Sequence, residues 1–296
     1  MSAVEHAPAK INLYLHVGEP APHGRHPLES AVVFASAGDI VEAHEDEGLT
    51  LSVHGAYGGD LAAEPDNLVL RAARELALEA GIGRPGAALT LEKRLPVASG
   101  MGGGSADAAA ALRALNRLWR LKASKDDLAR VARRIGADVP VCVASAAAFM
   151  SGTGEDTHEM TAPDFDAVLV NPDFSLPTAA VFQTFDMMGL GAGFSRTQRP
   201  HWRSRDEALA ALGETDNDLT LPARKLAPVI GEALDLLAGD ARVLLARMTG
   251  SGATVFALTN DASSAAALAG AVRARHPDWW AAETRLNAID PVTRRA

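Results

Sequence analysis

Four glycines fall within five positions, at Gly100, Gly102, Gly103 and Gly104, and Ser105 and Asp107 lead directly into regularly spaced apolar residues. A glycine run this dense adopts positive φ readily and lets a ligand approach the main chain. The abrupt helix start behind it adds exposed N–H groups and the positive end of a dipole. Together they make an anion cradle, with phosphate as the expected occupant. The plainer reading is a flexible turn before an amphipathic helix. Further on, Gly250-Ser251-Gly252 forms a second tight turn between apolar runs. Two ionisable residues stand near element ends: Lys10 before INLYLHV, and Asp138 soon after Gly136. Taken alone, Lys10 reads as well as a solvated strand-end lysine, and Asp138 as a turn residue.

Common phosphate sites do not fit these residues. A P-loop needs Gly-Lys-Ser/Thr after its second glycine, whereas this loop continues into Ser105-Ala106-Asp107. The dinucleotide-binding spacing fails too, because Ser105 occupies the place of its third glycine. Protein-kinase landmarks such as His-Arg-Asp do not occur in the sequence.

The elements that position these residues begin β-rich. Alternation predicts a strand over Ile11 to Val17 with Lys10 at its entrance, then a short strand in AVVFAS. Gly38-Asp39 is expected to turn the chain into IVEAHE, and LTLSVHG is a further strand. DNLVLRAARELALEAG reads as a helix with Leu68, Ala72, Leu76 and Ala80 on one face and Gly81 as its stop. ALTLEKRLP is a strand that delivers the chain into the glycine loop. Ala108, Ala111, Leu112, Leu115 and Trp119 then recur at helical spacing. SKDDLARVARRIG is a helix capped by Ser124, and the apolar run after Asp138 is expected to be a buried strand. SGTGED, at Ser151 to Asp156, marks the boundary between domains 1–153 and 154–296. In the second half, AVLVNP is a strand, PTAAVFQTFDMM a short helix, and Met187 to Asp206 a loop or lid. One or two helices follow in NDLTLPARKLAPVIGEALDLLAG. A helix or strand end leads to the Gly250-Ser251-Gly252 turn and a strand after it, then a helix in ASSAAALAGAVRARHP and a last strand near AAETRLNAI.

With 296 residues, 48% hydrophobic and 22% charged, the chain is an ordinary globular protein large enough for two domains. Its net charge of −9 argues against general binding to nucleic acid or membrane surfaces. Cys142, the one cysteine, excludes an intramolecular disulfide and a cysteine-based zinc cluster. Met1 to Lys10 lacks the apolar core of a secretory leader, and Val139 to Met150 falls short of the roughly 20 residues that cross a bilayer. A cytoplasmic location is expected, with no obligate protein partner evident.

The pattern from Pro96 through Gly100-Met101-Gly102-Gly103-Gly104-Ser105-Ala106-Asp107 resembles the phosphate loop of the small-molecule kinases named for galactokinase, homoserine kinase, mevalonate kinase and phosphomevalonate kinase. PAKINLYL at the front and MTGSGATVF at Met248 to Phe256 fit the same superfamily. Within it the chain resembles, nearly end to end, the 4-diphosphocytidyl-2-C-methyl-D-erythritol kinase family, through PAKINLYLHV, GRHPLES, DNLVLRAA, KRLPVASGMGGGSADAA, GADVPV, NPDFSLPTAAVF and GSGATVF. The resemblance implies a two-domain α+β kinase fold with its active site in the interdomain cleft. It also implies transfer of the ATP γ-phosphate to the 2-hydroxyl of a cytidine diphosphate-linked methylerythritol.

By that resemblance, Lys10 and Asp138 are catalytic. Asn67, Lys93, Pro96, Gly100, Gly102, Gly103, Gly104 and Ser105 hold ATP, and Mg²⁺ reaches the protein through Ser105 or Asp107, with capping of the helix as the other reading of Asp107. Asn12, Arg25, His26, Thr178, Phe182, Gly250, Ser251 and Gly252 take the acceptor. Met101 replaces the family's leucine, and Ala106 replaces a frequent second serine. Arg25 stands where relatives carry a tyrosine expected to stack on cytosine; a guanidinium plane also stacks on a base. Arg196, Arg199, Arg203 and Arg205 read as a solvated loop or as a lid that meets phosphate.

Overall fold

Two long strands organise the N-terminal part of the chain: β1 (Ser2–Asn12) and β3 (Leu28–His44), paired with each other. The structure, a computed structural model, describes residues 2–22, 24–59, 67–195 and 199–287. These form two compact units, each assembled from three stretches of chain. The first holds Met1–Ala9, Gly38–Val97 and Gly102–Ser145; the second holds Lys10–Ala37, Ala98–Met101 and Ala146–Ala296. The expected cut after residue 153 makes each half one continuous stretch, whereas β1, β3 and the glycine loop each carry the chain from one unit into the other.

In the first unit, the later part of β3 pairs antiparallel with β5 (Ala87–Glu92), which pairs in parallel with β4 (Leu49–His54). The helices are α1 (Leu68–Glu79), α2 (Gly103–Leu118), α3 (Lys125–Ala132) and α4 (Val139–Ala144). The α2 helix buries a run of alanines with Leu112, Leu115 and Leu118, and small side chains let α1 and α4 pack closely on it. Ser124 and Asp127 cap α3 reciprocally.

The second unit contains β2 (His16–Val17), β6 (Ala148–Ser151), β7 (Asp156–Glu159), β8 (Phe165–Asn171), β9 (Val243–Met248), β10 (Val255–Thr259) and β11 (Trp280–Leu286). Strands β11, β8, β10 and β9 lie side by side, all antiparallel. The early part of β3 meets β2, β6 and the end of β11. Its helices are α5 (Thr178–Met187), α6 (Arg205–Gly213), α7 (Thr220–Leu226), α8 (Val229–Ala238) and α9 (Ala262–Arg275). Val168, Val170, Phe185, Ile230, Leu237, Met248, Val255 and Leu268 share its core.

Three expectations are corrected. Lys10 lies near the end of β1, not at a strand entrance, because the strand already begins at Ser2. Gly38-Asp39 makes no turn, and β3 runs straight through it. Gly38 is required there because an added Cβ would lie 2.5 Å from the Ala7 carbonyl oxygen. The apolar run after Asp138 opens as the helix α4, not a strand, with Pro140 tolerated in its first turn.

Candidate active site

Lys10 is buried near the end of β1, and its backbone N–H donates to the Met101 carbonyl at 2.9 Å. This bond ties PAKINLYL directly to the glycine loop. Gly100 has φ +78°, and a Cβ there would lie 2.5 Å from the Thr249 carbonyl oxygen and 2.7 Å from the Gly252 nitrogen. The exclusion is mutual, since a Cβ on Gly250 (φ +55°) would lie 2.3 Å from the Gly100 carbonyl oxygen. Thr254 N–H donates to the Ser99 carbonyl at 3.1 Å. Asn217 Nδ2 donates to the carbonyls of Met248 at 2.8 Å and Gly250 at 2.9 Å. The two glycine turns are thus fixed back to back by main-chain contact.

Asn12 joins the same group. Its N–H donates to Thr249 Oγ1 at 2.9 Å and its Nδ2 to Ser30 Oγ at 2.7 Å. Its Oδ1 is buried without a hydrogen-bond partner among the described residues, as suits a group kept for a ligand. Thr178, the first residue of α5, places Oγ1 2.8 Å from Ser251 Oγ. Lys10, Asn12, Gly100, Thr178 and the Gly250-Ser251-Gly252 turn therefore gather in the second unit.

His26 and Phe182 also come together there, with ring centroids 5.0 Å apart, and Phe185 meets His26 edge-on at 5.6 Å. His26 Nδ1 lies 2.8 Å from the Gly18 carbonyl oxygen, and Nε2 lies 3.4 Å from Asp186 Oδ1. Arg25 has an exposed side chain, while its carbonyl accepts from Ala21 N–H at 2.8 Å. Arg205 donates to the carbonyls of Thr259 and Asn260 and lies over the Phe165 ring, so it belongs to the scaffold of α6. Arg199 and Arg203 are exposed, and Arg196 lies outside the described residues.

In the first unit, α2 opens at Gly102, whose φ is 62° and which supplies no side-chain cap. The N–H groups of the first turn, over Gly103, Gly104 and Ser105, therefore lack a side-chain acceptor at the cap position. Pro96 is buried at the loop's other end. Asn67 caps α1, its Oδ1 accepting from Val69 N–H at 2.9 Å. Asp138 is half-buried at the start of α4, and its carboxylate does not cap its own helix.

Lys93 is not a surface charge. It is 2% exposed, and its ammonium touches Asp39 Oδ2 and lies 2.9 Å from Asp107 Oδ2. Burial works against charge on Lys93, yet the two carboxylates hold it above the ordinary lysine range. Burial pushes Asp107 up to about 8, with the Lys93 ammonium opposing and the Asp39 charge adding to the rise. Asp107 sits beyond the first turn of α2, so the capping reading falls. Asp39 went unnoticed in the sequence, where Gly-Asp imitates a turn; its signal was an acid directly before the apolar pair Ile40-Val41 in a strand-like run.

Residues 67–146 match the family described as GHMP kinases N terminal domain, and residues 197–278 match GHMP kinases C terminal. The chain is 46% identical to a 4-diphosphocytidyl-2-C-methyl-D-erythritol kinase of Hyphomonas neptunium, across 95% of this chain and 96% of that protein. It is 49% identical to one from Parvibaculum lavamentivorans, across 93% and 95%. The chain belongs to the 4-diphosphocytidyl-2-C-methyl-D-erythritol kinase family. A crystal structure of a 4-(cytidine 5'-diphospho)-2C-methyl-D-erythritol kinase superposes with a TM-score of 0.77 at 30% identity, covering 97% of this kinase and all of that chain (100%). Homoserine kinase from Cytophaga hutchinsonii shares the fold, with a TM-score of 0.70 at 19% identity over 96% and 94% of the chains. The protein is accordingly a two-domain α+β kinase, an ATP-dependent phosphotransferase.

Proposed function

We propose that this kinase transfers the γ-phosphoryl group of ATP to the 2-hydroxyl of 4-diphosphocytidyl-2-C-methyl-D-erythritol, in non-mevalonate isoprenoid precursor synthesis. The observation that carries the reading is near-half identity, over almost the whole length, to relatives bearing that name. Phosphoryl transfer demands alignment and charge neutralisation more than covalent chemistry from the protein. Asp138 orients the acceptor hydroxyl and takes its proton. Lys10, held to the glycine loop through its own backbone, stabilises charge on the transferred group. The N–H groups of Gly100 to Ser105 receive the triphosphate. Asn67 and Lys93 stand on the adenine side, with Lys93 acting through its ion pairs, and Pro96 belongs to the ATP site with them. The His26–Phe182 pair receives the cytosine, and Arg25 supplies a guanidinium plane in place of a stacking tyrosine.

Mg²⁺ fits this site as a passenger on the triphosphate. No group of three or more His, Cys, Asp or Glu side chains among the described residues is arranged to hold a metal, and Mg²⁺ commonly keeps several waters and few protein ligands. The Ser105 hydroxyl, a hard oxygen in the first turn of α2, is the side chain that would hold it. When bound, Mg²⁺ neutralises charge on the β- and γ-phosphates. No helix among the described residues is long and apolar enough to cross a membrane. With Cys142 as the one cysteine of the sequence, an intramolecular disulfide is excluded, as suits a cytoplasmic setting.

A coupled ADP-release assay tests this reading with the cytidylated methylerythritol, mevalonate and homoserine offered separately. Turnover is expected with the first alone. Asp138→Asn is expected to lower kcat at least about a hundredfold while ATP binds normally. Turnover with mevalonate or homoserine instead, or an active Asp138→Asn enzyme, overturns it.

A further inference from the structure

One carboxylate holds both ends of the glycine loop. Asp39 Oδ1 accepts from the N–H groups of Arg94 at 2.6 Å and Leu95 at 2.8 Å, immediately before Pro96. Its Oδ2 touches the Lys93 ammonium, and Lys93 reaches Asp107 Oδ2 inside α2 at 2.9 Å. A Cβ on Gly103, the first residue of α2, would lie 3.0 Å from Lys93 Nζ and 3.7 Å from Asp39 Oδ2. The ion cluster therefore sits against the first turn of the helix, whose N–H groups the proposed function gives to the triphosphate.

This arrangement is costly as mere packing. Asp39 is 0% exposed in the middle of a strand, and a buried charge is destabilising unless its partners compensate. The backbone of Lys93 is already anchored elsewhere, its N–H donating to the His54 carbonyl at 2.8 Å and its carbonyl accepting from Tyr57 N–H at 3.2 Å. The chain before the loop does not need Lys93's side chain to stay in place. What the ammonium adds is a link from that anchored segment, through Asp107, to the start of α2.

We infer that Asp39 is a positioning residue for nucleotide binding, setting the span of the glycine loop by clamping the chain before it and, through Lys93 and Asp107, the helix after it. The inference rests on the reading of the loop as the triphosphate site. Asp39→Asn isolates the Lys93 limb: an asparagine oxygen still accepts from Arg94 and Leu95, while its NH₂ replaces the oxygen that faces the ammonium.

The test measures affinity for a non-hydrolysable ATP analogue by calorimetry, with kcat and both KM values. Asp39→Asn is expected to weaken nucleotide affinity and raise the KM for ATP roughly tenfold, as losing one charge-assisted hydrogen bond does. The kcat at saturating ATP and the KM for the acceptor are expected to stay within about twofold. Combining Asp39→Asn with Lys93→Met is expected to cost no more than the worse single change, because the two act through one link. Unchanged nucleotide affinity in folded Asp39→Asn, equal loss of affinity for both substrates, or additive single effects overturns the inference. If Asp39→Asn does not fold, Asp107→Asn cuts the same link from the α2 side and is read by the same criteria. A wild-type enzyme that fails to bind the analogue instead removes the phosphate-loop reading itself.

Discussion

At the scale of single residues, the site depends on atoms that are missing as much as on those present. Gly100 combines positive φ with main-chain neighbours inside any Cβ's reach, so even alanine there forces the Gly250 turn to move. Gly100→Ala is expected to cost activity by at least about a hundredfold and stability by roughly 2 kcal/mol or more. Enzyme assays and chemical denaturation check both, and a near-wild-type Gly100→Ala enzyme would show that the two turns separate freely. Asp39 teaches a related lesson. Its burial and three contacts are long-range facts, invisible beside a Gly-Asp pair that obeys local turn statistics.

At the scale of elements, helices with caps and a one-sided apolar face were legible. α1, α2, α3 and α9 all appear where spacing and caps place them. On α1, however, the buried face is Val69, Ala72, Ala73, Leu76 and Ala77, rotated from the expected stripe, which included the exposed Ala80. α4 was missed because six residues with three valines give helical periodicity no room, and packing against α2 and α3 decides the outcome. The continuity of β3 was missed because its glycine answers to a neighbouring strand rather than to a turn. Lys10, Asn12, His26, Thr178 and Phe182 become candidates only through motif resemblance, since nothing local distinguishes them. Asn67 permits a test at this scale because it is an N-cap with a proposed second duty. Asn67→Ala is expected to lower stability by about 1 kcal/mol through the lost cap. If the residue also serves adenine, the KM for ATP rises as well; a pure stability loss would confine Asn67 to α1.

At the scale of the whole molecule, the dependence of stability on pH has two opposing limbs. Asp127 and Asp240 are held at about 2, first by the hydrogen bonds of Ser124 and Arg242 respectively. Both therefore support the fold above their ordinary range near 4, and that support is lost as pH falls. Asp107 runs the other way: raised to about 8, it favours the fold most below its ordinary range, and that contribution drains away as pH rises through about 8. Lys93, raised as well, keeps its contribution across this window. Denaturation at about pH 6 and about pH 9 is expected to show a falling stability, by at most about 1.4 kcal/mol per pH unit. Asp107→Asn should flatten that fall, and an unchanged slope would assign it to other groups. The contact between Gly100 and Gly250 has a consequence of a different kind, for how such a chain drifts over generations. Two segments far apart in the gene share one sliver of space, so neither explores new residues alone. A library randomising both together should return functional members only as matched pairs, which makes the two turns a single heritable unit written in two places.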